Sequence, residues 1–152
     1  MGSTILIVFI KMKIKVSKSF SYLLVLLAFS GCSPLISSYD QYSYTQATSL
    51  KVDALNLMGE AVEDYKLHEA ESKLVILNIQ KLMEYEKHLP KNTITMNQWT
   101  LLTDTNGNLL GGFLKEWKAK HMLRPAFIIN KQEQVSRGFD EIIKLEASKI
   151  HY

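Results

Sequence analysis

Apolar residues along the chain recur at spacings of three and four. Ala47, Leu50, Ala54, Leu57, Ala61 and Tyr65 fall on one face and predict a helix over about residues 39–68. Val52, Leu55, Met58 and Val62 widen that stripe, so this helix is expected to be buried on more than one side. Gly59 lies inside the pattern and costs up to about 1 kcal/mol against alanine. Close helix packing is the simplest reason for it. A second helix follows over about residues 69–88. Leu74, Leu77 and the stretch from Leu82 to Tyr85 fit one face, while Val75, Ile79 and Leu82 fit the face beside it. Pro90 ends this helix, and Lys87 and His88 suit the negative end of its dipole. No glycine or proline separates the two helices between Glu60 and Leu89. The polar run His68-Glu69-Ala70-Glu71-Ser72 is the candidate turn, and one long helix is the alternative.

Residues 91–104 read as a loop entering a short helix at about 96–103, with Thr95 as the expected cap. Asp104-Thr105-Asn106-Gly107-Asn108 is a strong turn signal. A helix over about 109–122 carries Leu110, Phe113, Leu114 and Trp117 on one side. Pro125 suits the first position of the last helix. Its stripe is Ile128, Val135, Phe139, Ile142 and Glu146, broadened by Phe127, Ile143 and Leu145. No run alternates as a strand would. The expected fold is all-α: a small up-and-down bundle of three to four amphipathic helices over residues 39–152.

The first fifth of the chain has a different pattern. Met12-Lys-Ile-Lys-Val-Ser-Lys18 is basic, Phe20 to Phe29 is apolar, and Ser30-Gly31-Cys32 is small. That is the order of a signal peptide, spanning residues 1–31. The ten-residue apolar run is short of the roughly 20 residues a membrane-spanning helix needs. A second apolar run, Ile5 to Ile10, precedes the lysines, so translation is expected to start at Met12.

Charge follows the same division. The chain carries a formal net charge of +3, but Lys11, Lys13, Lys15 and Lys18 all precede Cys32. The remainder holds 14 basic and 15 acidic residues, so no basic surface argues for nucleic acid. With 47% hydrophobic and 22% charged residues, the composition is that of a globular domain. A single cysteine allows no intrachain disulfide.

Ala28-Phe29-Ser30-Gly31-Cys32 resembles the lipobox of bacterial lipoproteins. Ser30, Gly31 and Cys32 match that pattern, and Phe29 departs from the usual aliphatic residue. The resemblance covers about the first fifth of the chain. It implies cleavage between Gly31 and Cys32 and a covalent diacylglyceryl lipid on Cys32. It also implies a tether over residues 32–38 and a cell-envelope address. Ser33 is not the aspartate that retains lipoproteins at an inner membrane, so in a host with two membranes the outer one, facing the periplasm, is implied. Two or three acyl chains anchor stably. Tyr39, Tyr42 and Tyr44 then follow the tether and suit a membrane interface.

Catalytic and metal templates fail in turn. His68-Glu69 opens like a zinc-protease helix, but Ser72 stands where the second histidine belongs. The other histidines, His88, His121 and His151, lie far apart near predicted helix ends. Asp104, Asn106 and Asn108 alternate like calcium-loop ligands, but Leu109 and Lys115 replace the required glycine and glutamate. Gly107, Gly111 and Gly112 lack the lysine and hydroxyl of a phosphate loop. No serine elbow is present. Glu63-Asp64 and Asp140-Glu141 are adjacent pairs and point to different sides of a helix. No metal and no cofactor other than the covalent lipid is expected. The expected role is a non-enzymatic binding module with a possible envelope protein partner. The candidate surface is Asp104, Asn106 and Asn108 with Trp99 and Trp117 flanking the turn. The alternatives are a small periplasmic hydrolase with acidic and histidine residues gathered from several helices, and a protective or inhibitory envelope lipoprotein.

Overall fold

The computed structural model describes residues 36–151. The expected signal segment and the candidate residues Gly31 and Cys32 lie outside these. Among the described residues there are five α-helices and no strand: α1 (Gln41–Gly59), α2 (Glu69–Lys87), α3 (Thr93–Thr103), α4 (Leu110–Lys120) and α5 (Pro125–Ser148). The fold is an all-α bundle, with five helices rather than three to four.

Helices α1, α2, α3 and α5 form a ring in which each packs against the next, and α5 closes back on α1. The α1–α5 register runs from Lys51–Asp140 (2.6 Å) to the Gln132 side chain donating to the Leu55 carbonyl (2.8 Å). Numbers rise in α1 as they fall in α5, so the two are antiparallel. Thr95–Glu146 and Trp99–Phe139 set the same sense between α3 and α5. Helix α4 closes one end of the ring, against α3 and the Tyr65–Leu67 turn.

Helices α1, α4 and α5 bury the stripes their sequence spacing predicts. In α1 and the turns after it, Ala47, Leu50, Ala54, Leu57, Ala61 and Tyr65 are all buried. So are Leu110, Phe113, Leu114 and Trp117 of α4, and Ile128, Val135, Phe139, Ile142 and Glu146 of α5. Widths are narrower than expected. Met58 is buried, but Val52 and Val62 face solvent, so α1 buries one side. In α2 the inner face is Val75, Ile79 and Leu82, while Leu74, Leu77 and Tyr85 are exposed. Both faces had helical spacing, and only the neighbours α1 and α3 choose between them.

The break between the first two helices comes earlier than His68. Helix α1 ends at Gly59, and 3₁₀ turns at Glu60–Val62 and Tyr65–Leu67 follow. Here the backbone trades helical partners for tertiary ones. The Tyr65 amide donates to the His121 carbonyl and the Leu123 amide to the Ala61 carbonyl, both at 2.8 Å. Asp64 then caps the second turn through the Lys66 amide. A segment without glycine or proline is thus broken by pairing with the α4–α5 connection.

Other ends follow local chemistry. Asp40 caps α1 by accepting from the Ser43 amide at 2.8 Å. Pro125 opens α5 as predicted. Thr95 is not a cap: it lies inside α3, buried, and donates to Glu146. Gly111 allows α4 to start against the end of α3, because a Cβ there would lie 2.1 Å from the Thr103 carbonyl oxygen. Gly59 is different. A Cβ there would meet only the Gln132 amide nitrogen, at 3.6 Å, so close packing does not require glycine at that position.

Candidate functional site

The turn singled out in the sequence is well formed and exposed. Asp104 Oδ1 accepts from the Asn106 amide (2.8 Å), and the Gly107 amide donates to the Asp104 carbonyl (3.0 Å). Asn106 Oδ1 accepts from Lys115 (3.0 Å), and the Asn108 carbonyl from Lys131 (3.0 Å). These bonds account for the polar residues as a self-capped turn. The two tryptophans are not part of that surface. Trp99 and Trp117 are fully buried. The Trp99 indole N–H donates to Glu86 Oε2 (2.9 Å) and that of Trp117 to the Glu63 carbonyl (3.0 Å). Trp117 also meets Tyr65 edge-on with ring centroids 5.3 Å apart. The expected recognition surface loses both aromatic members, because burying an indole with its N–H satisfied is what a small core uses tryptophan for.

What the turn borders is a groove of about 740 Å³ between α2, the end of α3, α4 and the Tyr65 turn. Its apolar wall is Tyr65, Ile76, Met83 and Leu114. Thr103 and Thr105 bring the predicted turn to its edge. Lys73, Lys115 and Lys118 stand along it, with no carboxylate, histidine or cysteine among its lining residues. Glu69 is the nearby counter-charge: its Oε1 lies 3.0 Å from Lys73 Nζ and 3.8 Å from Lys118 Nζ. The hydrogen bond from Lys73, then its charge, holds the Glu69 carboxyl below its ordinary range. Lys118 also sits 5.8 Å over the Tyr65 ring. Ser72 lines the same groove while almost wholly buried, and its hydroxyl has no hydrogen-bond partner. A second hollow of about 240 Å³ beside α1 and α2 is lined by Asp53, Asn56, Glu71 and Asn78 together with Leu74 and Val75.

A buried polar cluster occupies the opposite end of the bundle. Glu86, Glu146 and Lys149 all lie at 2% exposure or less. Lys149 Nζ donates to Glu146 Oε1 (2.5 Å), Asn92 Oδ1 (2.8 Å) and Thr95 Oγ1 (3.1 Å). Ser37 donates to the same Asn92 oxygen at 3.0 Å. Ser37, expected in the tether, is therefore part of the folded domain. Glu86 Oε1 and Glu146 Oε2 are buried without partners. Burial, and then the charge of Glu146, push the Glu86 carboxyl up to about 7, with the Trp99 N–H pulling the other way. Protonating Glu86 would remove a negative charge from beside Glu146.

His68 sits where Glu60 and Glu63 also converge, their ligand atoms within 4.8 Å of one another. His68 Nε2 pairs with Glu63 Oε2 at 3.0 Å. That bond, against an opposing effect of burial, raises the His68 pKa. An ion pair accounts for the approach.

The sequence held a signal for the polar core. Ser72 and Glu86 fall on the Val75–Ile79–Leu82 register, Asn92 and Thr95 on that of Trp99 and Leu102, and Glu146 and Lys149 on that of Phe139 and Ile142. The groove had none, because Lys73 and Lys118 are brought together only by folding. No helix among the described residues is long and apolar enough to cross a membrane. No family model, curated protein or solved structure matches the chain.

Proposed function

We propose that the chain is a lipid-anchored cell-envelope protein acting as a non-enzymatic binding module, with its ligand held in the groove between α2 and α4. The groove carries this reading: a concave, largely apolar site with a few polar groups is what small-ligand sites share. General acid–base chemistry needs a positioned proton carrier with a pKa near the working pH. The groove's lining holds no carboxylate or histidine, which supports binding over hydrolysis.

The address rests on Ser30-Gly31-Cys32 after an apolar run. Tyr39 and Tyr42 are exposed beside the chain's entry into the bundle, as suits an end facing a lipid interface.

Two measurements test the reading. Mass analysis of the protein from its native membranes is expected to show an acylated Cys32 as the first residue. An unmodified thiol still joined to the upstream peptide would overturn the address. Purification from the same membranes is expected to recover a bound species that Gln80→Trp, which fills the groove from an exposed lining position, no longer retains. Retention of the same species by the variant would overturn the site.

A further inference from the structure

Resting on the groove as the binding site, the nature of its walls goes on to specify what it takes. Ile76, Met83 and Leu114 offer an apolar strip, and Lys73, Lys115 and Lys118 offer cations along it. A neutral apolar ligand would cover the strip and make no use of the cations beside it. A small anion would satisfy the lysines and leave the strip wet. The two halves are matched together by a molecule with an apolar tail and an anionic head.

The position of the head is marked by Glu69. One oxygen of that carboxylate is approached by both Lys73 (3.0 Å) and Lys118 (3.8 Å), so the two ammonium groups already converge on a single anionic point. Lys73 and Lys118 share the one Glu69 carboxylate, and Lys115 bonds the neutral Asn106 side chain. Ser72 also lines the groove, with its hydroxyl buried and without a partner. Burying such a group is unfavourable unless something hydrogen-bonds to it. The volume, about 740 Å³, lies within the range of roughly 300–1,000 Å³ typical of sites for one small ligand.

We infer that the groove binds a single-chain anionic amphiphile, a long-chain carboxylate. Its acyl chain lies over Ile76, Met83 and Leu114, and its head lies between Lys73 and Lys118.

The test uses the full-length chain in phosphatidylcholine nanodiscs and a diazirine-bearing long-chain carboxylate, with the alcohol of equal length as control. Cross-links are mapped by peptide mass spectrometry. The carboxylate is expected to label peptides of α2 and α4 around Ile76, Met83 and Leu114, at least about tenfold more than the alcohol, as two charge-assisted contacts would give. Lys73→Glu with Lys118→Glu should reduce labelling by at least about tenfold. Glu69→Gln, which removes the internal competitor for the lysines, should increase it. Gln80→Trp should abolish it. Lys118 is exposed, so Lys118→Gln alone, with circular dichroism confirming its fold, keeps the test decisive if the double reversal fails to fold. Equal labelling by the alcohol, indifference to lysine replacement, or labels spread over exposed Leu67, Leu101 and Ile129 would overturn the inference. If Gln80→Trp releases the natively bound species while the carboxylate fails to label, the ligand class falls and the binding reading stands.

Discussion

Lys149 Nζ lies 2.5 Å from Glu146 Oε1, one turn apart at the end of the last helix, with both side chains almost completely buried. Taking two charges out of water is expensive, and the pair survives because Asn92 and Thr95 complete the shell around the ammonium. Losing one partner leaves an uncompensated buried charge. Lys149→Met is therefore expected to lower stability by about 3–5 kcal/mol. Replacing the pair together, Glu146→Leu with Lys149→Met, should cost far less than the single change. Urea unfolding of the three proteins checks both.

Glu86 gives the domain a pH dependence of definite sign. Its folded pKa, about 7, lies above its ordinary value of 4.5, so the folded state binds a proton more tightly than the unfolded chain. Stability from this group is present below the unfolded value and is lost as pH rises through about 7. The change is worth roughly 3 kcal/mol. Urea unfolding should show greater stability at pH ~5 than at pH ~8, and Glu86→Gln should flatten the difference.

His68 should titrate in the opposite structural context but with a related sign. Its pKa is raised by the Glu63 hydrogen bond, so its contribution is present below 6.5 and fades as pH rises through the folded value. NMR titration of the His68 ring is expected to give a pKa above 6.5 in the wild type, and a lower one in Glu63→Gln.

Glycines separate into required and dispensable positions. Gly111→Ala would drive a methyl against the Thr103 carbonyl, so it should displace α4 and cost several kcal/mol, on the order of other core overpacking. Gly59→Ala meets open space and a movable side chain, and should stabilise by up to about 1 kcal/mol. Thermal unfolding distinguishes the two.

Trp117→Ala is expected to destabilise by about 3–5 kcal/mol, since it empties a fully buried site and frees the Glu63 carbonyl. Loss of fold, read by circular dichroism and urea unfolding, should accompany any loss of binding in that variant.

The helices were legible because burial leaves a period in the sequence. Spacing and Pro90 marked the helix that runs Glu69–Lys87, and Pro125 the start of the last one, although the polar run 68–72 read as a turn is helical from Glu69. The stripe through Ile128, Val135, Phe139 and Ile142 was readable to its last member. Spacing could not say which of two overlapping faces of α2 turns inward. It also could not foresee that Ala61 and Tyr65 would exchange helical partners for Leu123 and His121.

By itself the sequence determined an all-α bundle, its main helix faces and the lipobox-like segment ahead of it, since periodicity and local composition act over a few turns of chain. Tertiary structure alone decided that α4 closes the ring and that Trp99 and Trp117 lie beneath the surface the turn presents. It alone placed Glu86, Glu146 and Lys149 together in the dark, and gathered Lys73, Lys115 and Lys118 about one groove. Those outcomes depend on which helix faces which, and contacts between residues tens of positions apart leave no repeat in a single sequence to read.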